Sequence, residues 1–97
     1  MVLHVALRDG FHNDTVTIRV NGKEVYRKSG VTTDLTISFA DSVEVPIDGG
    51  TARLDVAVDG GQARSEEITV AETPFVAVRI VGARMEFRKS KEQIPML

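Results

Sequence analysis

Apolar side chains recur at every second position along most of this 97-residue chain, and that period constrains its fold more than any other feature. Successive side chains on a strand point to opposite faces, so alternation of this kind describes strands with one face buried and one solvated. Leu3, Val5 and Leu7 share one side of the first segment, with His4, Ala6 and Arg8 on the other. Val16, Ile18 and Val20 repeat the pattern, followed by Leu35, Ile37 and Phe39 and then by Val43, Val45 and Ile47. Ala52, Leu54, Val56 and Val58 continue it, and Val76, Val78 and Ile80 close the main series ahead of Met85 and Phe87. No comparable stretch shows the stripe of a helix.

Turn residues refine this reading. Asn21-Gly22 suits a two-residue type I′ turn, because both central positions need positive φ. Such a loop sets Ile18 opposite Val25, two apolar side chains on one face. Gly82-Ala83 makes a second two-residue loop, pairing Ile80 with Met85 and Val78 with Phe87. Asp59-Gly60-Gly61-Gln62 behaves differently, since a two-residue loop would set Leu54 against Glu67. A one-residue slip reverses every side chain, so a three-residue loop or a bulge near Glu66-Glu67 is expected, with Leu54 facing Ile68 and Ala52 facing Val70. Ser29-Gly30 reads as the end of the third segment, and Pro46 marks an edge or the end of a strand because it has no ladder donor.

Together these signals predict an all-β domain over residues 1–88. It is a two-sheet antiparallel β-sandwich of immunoglobulin-like or related topology, with about eight short strands and no substantial helix. The likeness is to an architecture alone: the chain has no Cys and no Trp, and so lacks the Cys, Trp and Cys that identify true immunoglobulin domains. Residues 89–97 read as a polar, basic tail with an apolar end.

Length and composition bound the function. Apolar residues make up 42% and charged residues 27%, the balance of a chain that folds around its own core. The absence of cysteine excludes disulfides and thiolate chemistry. The opening Met1–Asp9 has neither a basic leader nor a long apolar run, so a complete chain would be cytoplasmic. Net charge is −2 but unevenly spread. Residues 34–72 carry nine acidic against two basic groups, whereas residues 73–97 carry five basic against two acidic. Uneven charge of this kind can orient a protein partner, while the small total gives no general pull toward nucleic acid or membrane.

Catalytic signatures do not emerge. There is no Gly-x-Ser-x-Gly elbow, no phosphate loop, no dinucleotide fingerprint and no His-Glu-x-x-His, and His4 falls on an outward strand face. No catalytic residue and no cofactor is assigned. The densest polar loop, Asp9-Gly10-Phe11-His12-Asn13-Asp14, offers hard oxygen donors in Asp9, Asn13 and Asp14, the atoms that calcium requires. These residues also simply build turns, so no metal is assigned and the three stand as the candidates should one bind. A carbohydrate site would need aromatic platforms. With one Tyr, four Phe and no Trp, and with Phe39 and Phe87 expected in the core, few remain.

Two features point instead to a protein partner or to a second copy of the chain. Arg84, Arg88, Lys89 and Lys91 form a basic strip, too poor in exposed aromatics for nucleic acid. Beyond it, Ile94, Met96 and Leu97 place three apolar side chains in the last four residues. The function expected is a non-catalytic interaction or accessory module, self-associating or partner-binding through an edge strand or this tail. A calcium- or carbohydrate-binding module using the 9–14 loop is the alternative.

Overall fold

The computed structural model describes residues 1–93, and these form eight strands without a helix. The strands are β1 (Val2–Leu7), β2 (Asp14–Val20), β3 (Lys23–Val31), β4 (Asp41–Pro46), β5 (Thr51–Val58), β6 (Ala63–Thr69), β7 (Phe75–Val81) and β8 (Arg84–Ser90). They build two four-stranded sheets, ordered β4-β1-β7-β8 and β3-β2-β5-β6. The alternating apolar sets meet between the sheets. Leu3, Val5 and Leu7 from one and Val16, Ile18, Leu54, Val56 and Ile68 from the other are almost wholly withdrawn from water. Burial of each such aliphatic side chain is worth about 1.5–3 kcal/mol, which is why this pattern sets the architecture.

The β2–β3 hairpin has the expected two-residue loop: Val20 faces Lys23, and Asn21 and Gly22 both have positive φ, at 53° and 81°. Its register then departs from the simple expectation. Ile18 faces Tyr26, and not Val25, because Val25 is the extra residue of a β-bulge between the Ile18–Tyr26 and Arg19–Glu24 pairs. The bulge turns Tyr26 toward the gap between the sheets, where its hydroxyl reaches Asp41 of β4 at 2.8 Å. A second irregularity lies between the Val16–Lys28 and Asp14–Val31 pairs. The strand thereby runs through Ser29-Gly30 to Val31, where an end had been expected.

The β7–β8 hairpin follows its sequence reading, with Ile80 opposite Met85 and Val78 opposite Phe87. The β5–β6 loop is longer than two residues, with the Val58 N–H donating to the Gln62 carbonyl at 2.8 Å across Asp59-Gly60-Gly61. Its register is nevertheless two residues from the one expected: Ala52 faces Ile68, and Leu54 faces Glu66. Both registers keep the same faces inward, so alternation could not distinguish them.

Two other expectations are corrected. The sheets are not wholly antiparallel, since β1 and β7 pair in parallel from His4–Phe75 to Leu7–Val78. The chain crosses from one sheet to the other after β6 and so delivers β7 in the direction of β1. Leu35, Ile37 and Phe39 do not form a strand. Asp34 folds this segment into a turn by accepting the Thr36 backbone N–H at 2.9 Å and its hydroxyl at 2.6 Å. Ser38 takes a φ of 52° before Asp34 and Phe39 rejoin in an isolated bridge. Local side-chain bonding of this kind competes with a strand ladder, and here it prevails.

Candidate functional site on the outer face of the β4-β1-β7-β8 sheet

Alternation that sends Leu3, Val5 and Leu7 inward necessarily sends His4 and Ala6 outward. On β7 the inward Val76 and Val78 leave Phe75 and Ala77 outward in the same way. Register aligns these positions in rows across the sheet. One row reads Glu44, His4, Phe75, Ser90, and the next reads Ser42, Ala6, Ala77, Arg88. The second row has only methyl groups at its two central positions, beside a row holding two rings. The result is a depression of about 300 Å³ on the outer face.

Its sides are built by separate devices. The His4 and Phe75 rings stack with centroids 4.4 Å apart and planes within 20°. His4 Nδ1 lies 3.5 Å from a Glu44 carboxylate oxygen. On the far side stands Phe39, carried there by the Asp34–Phe39 turn and not buried in the core as expected. Arg8 donates from Nε to the Ser38 carbonyl at 2.7 Å, which ties that turn to the end of β1. Gln93 lines the depression as well, although it follows β8 by three residues. The turn also raises two apolar side chains into solvent, Leu35 at 87% exposure and Ile37 at 38%.

The residues expected to bind a partner are divided by the fold. Arg84 and Arg88 lie on this outer face, Arg84 with Glu86 at 3.3 Å and Arg88 opposite Ala77. Lys89 belongs to β8, which continues two residues past the expected domain boundary, and it points the other way. There it meets Glu66 at 2.9 Å, while Arg64 reaches the same carboxylate at 2.8 Å and lies over the Phe87 ring. Burial opposes ionisation of Glu66, but Lys89 and Arg64 outweigh it and hold its pKa below the usual value. Asp41 does the same at the opposite seam. Burial is again opposed and outweighed, by the Tyr26 hydroxyl, the Ser42 amide and Lys28. Lys91 is exposed beyond β8, and Ile94, Met96 and Leu97 lie outside the described residues.

In the loop holding Asp9, Asn13 and Asp14, the Asp14 carboxylate is engaged within the loop itself. The His12 N–H donates to Asp14 at 2.9 Å, and the Asn13 N–H donates to the Thr32 hydroxyl at the same distance. Phe11 is buried at the end of the core. Gly10 has φ of 91°, and a Cβ there would collide with the Ile80 carbonyl, so this loop is pressed against β7. Among the described residues, no three His, Cys, Asp or Glu side chains gather as a metal site would require.

Sequence reasoning assigned no role to Ala6, Phe75 or Ala77. The usable signal was an apolar or small residue at successive outward positions of two strands, but it becomes a site only when register sets those strands side by side. Scanned against protein-family models, curated proteins and solved structures, the chain matches none of them.

Proposed function

We propose that this chain is a non-catalytic protein-interaction module that holds a short apolar segment against the outer face of the β4-β1-β7-β8 sheet. The observation that carries this reading is the Ala6–Ala77 row, a methyl-floored depression between stacked rings and Phe39. Apolar concavities with a few polar groups at their margins are where binding energy concentrates, because side chains seated there lose water on all sides. The neighbouring Leu35 and Ile37 extend the apolar surface beyond the depression.

Strand addition at a sheet edge is the weaker route. The β4 edge ends in Pro46, the β3 edge is broken by two irregularities, and β6 and β8 carry Arg64, Glu66 and Lys89 toward the seam. Each of these devices discourages pairing with another strand. The strand order also supports an immunoglobulin-like reading of the architecture. The β3-β2-β5-β6 sheet opposite the β4-β1 pair corresponds to strands C′, C, F and G facing E and B, with β7 and β8 added beside β1.

Selection of displayed apolar peptides on the full chain tests the function. Peptides recovered on the wild type should bind Ala6→Arg at least tenfold more weakly, and Arg19→Ala on the other sheet unchanged. Equal binding by all three proteins would remove the depression from the account.

A further inference from the structure

We infer that the partner's segment is acidic: an apolar side chain seated over Ala6 and Ala77, with a carboxylate two or three residues away that pairs with Arg88. The inference rests on the function proposed above and names the chemistry of the partner. Three observations carry it. Strand positions on this outer face hold Arg79, Arg84 and Arg88 against Glu44 and Glu86, and Arg8 lines the depression at the end of β1. Both of those carboxylates are already engaged. Glu86 meets Arg79 at 2.9 Å with one oxygen and Arg84 at 3.3 Å with the other, while Glu44 lies beside His4. Arg88 is exposed, stands directly opposite Ala77 and makes no ion pair among the described residues, Glu92 beyond β8 included.

Geometry and charge set the pattern that the partner must carry. Neighbouring strands lie about 4.8 Å apart, so Arg88 stands about 7 Å from the middle of the Ala6–Ala77 pair. An extended chain crossing the strands advances about 3.3 Å per residue and covers that span in two residues or three. At the opposite end of the alanine row stands Ser42, with Glu44 next along β4, so a carboxylate there would meet a like charge. The acidic residue therefore belongs on the β8 side. Arginine suits this role because its planar fork takes a carboxylate in two parallel hydrogen bonds. An exposed pair of this kind adds little affinity; it selects the partner and speeds encounter, while the depression supplies the burial. A second copy of the chain fits less well, since two such faces brought together would set arginine near arginine.

The test selects peptides from a random displayed library on the full-length wild type and, separately, on full-length Arg88→Glu. The wild-type pool should carry Asp or Glu two or three residues from an apolar anchor. The Arg88→Glu pool should carry Lys or Arg at the same spacing. A synthetic peptide of the wild-type consensus should bind Arg88→Glu about fivefold more weakly than wild type, with Arg88→Gln between the two. Arg19→Glu, an equal change of charge on the other sheet, should bind it within about twofold of wild type. A wild-type pool without acidic enrichment, or an equal loss in Arg88→Glu and Arg19→Glu, would overturn the inference. Sedimentation showing a wild-type dimer that Ala6→Arg dissociates would also overturn it, by seating a second copy on this face. If the inference fails while displayed peptides still distinguish wild type from Ala6→Arg, the proposed function stands without it; peptides that bind Ala6→Arg as well as wild type remove the site itself.

Discussion

The two outer faces of the sandwich follow the same alternation and present different surfaces. On the β3-β2-β5-β6 sheet two outward rows are polar and matched, with Arg19 facing Asp55, Asp55 facing Ser65 and Arg53 facing Glu67, while the next row sets Thr17 beside Ala57 and Ala63 without rings around them. The Asp55 carboxyl is held below its usual pKa by the Ser65 hydroxyl, against some burial, with help from Arg53 and Arg19. On the β4-β1-β7-β8 sheet two outward positions of the central strands are alanines, and their neighbours are rings. A charged ladder keeps its water, whereas small side chains flanked by rings leave a hollow in the surface. The difference lies in side-chain size and ring placement at a few outward positions and not in the fold that both sheets share, and the proposed function rests on it.

The largest expected effect ignores this difference, because it falls on the core beneath both faces. Leu54→Ala should cost about 2–5 kcal/mol in urea unfolding, through lost burial and the cavity left behind. It should weaken the stability on which both faces depend without favouring one.

Phe75→Ala separates the faces. Loss of the ring and of its stack on His4 should cost about 1 kcal/mol and weaken binding of displayed peptides. Ser65→Ala, on the polar face, should lie within about 0.5 kcal/mol of wild type and leave binding intact. A Ser65 effect as large as that of Phe75 would break the comparison.

The seams that join the sheets should respond to pH, and not in the same way. The folded pKa values of Asp41 and Glu66 are depressed, so the stability they contribute is present above the unfolded value. It is lost as pH falls from about 4 through the depressed values. Asp41→Asn and Glu66→Gln should each flatten the acid limb of stability measured against pH. Tyr26 works in the opposite direction. Burial first, and then the Asp41 hydrogen bond and charge, raise its pKa. Its contribution is therefore present below the unfolded value and is lost as pH rises past about 10. Tyr26→Phe should flatten the alkaline limb while leaving the Glu66 seam unaffected.

An effect no larger than that of Phe75→Ala is expected at the hairpin turn, away from both faces. Gly22 has φ of 81° with open space around its Cα, so Gly22→Ala meets no neighbour and carries only backbone strain. It should cost about 1 kcal/mol, with no change in peptide binding.

Much of the fold was legible because its signals are local. Alternation marked which side chains of β1, β2, β5 and β7 face the core, and Asn21-Gly22 and Gly82-Ala83 specified their turns through backbone conformation. The errors arose where a local competitor or a distant strand intervened. Leu35, Ile37 and Phe39 alternate as a strand would, but Asp34 and Thr36 bond within the segment and turn it outward. Ile18 faces Tyr26 because a bulge adds a residue that alternation alone does not reveal. Of the residues assigned to a partner, Arg84 and Arg88 share the outer face with the depression, and Lys89 is drawn into the seam by Glu66.

The amino-acid sequence by itself determined the strand content, the inward faces and the two-residue turns, since each depends on neighbours a few positions apart. Tertiary structure alone decided that Ala6 lies beside Ala77, that His4 stacks on Phe75 and that Phe39 stands across from them. Those contacts depend on strand order and on the parallel β1–β7 pairing. Residues some 70 positions apart are placed together only when the whole chain buries its core.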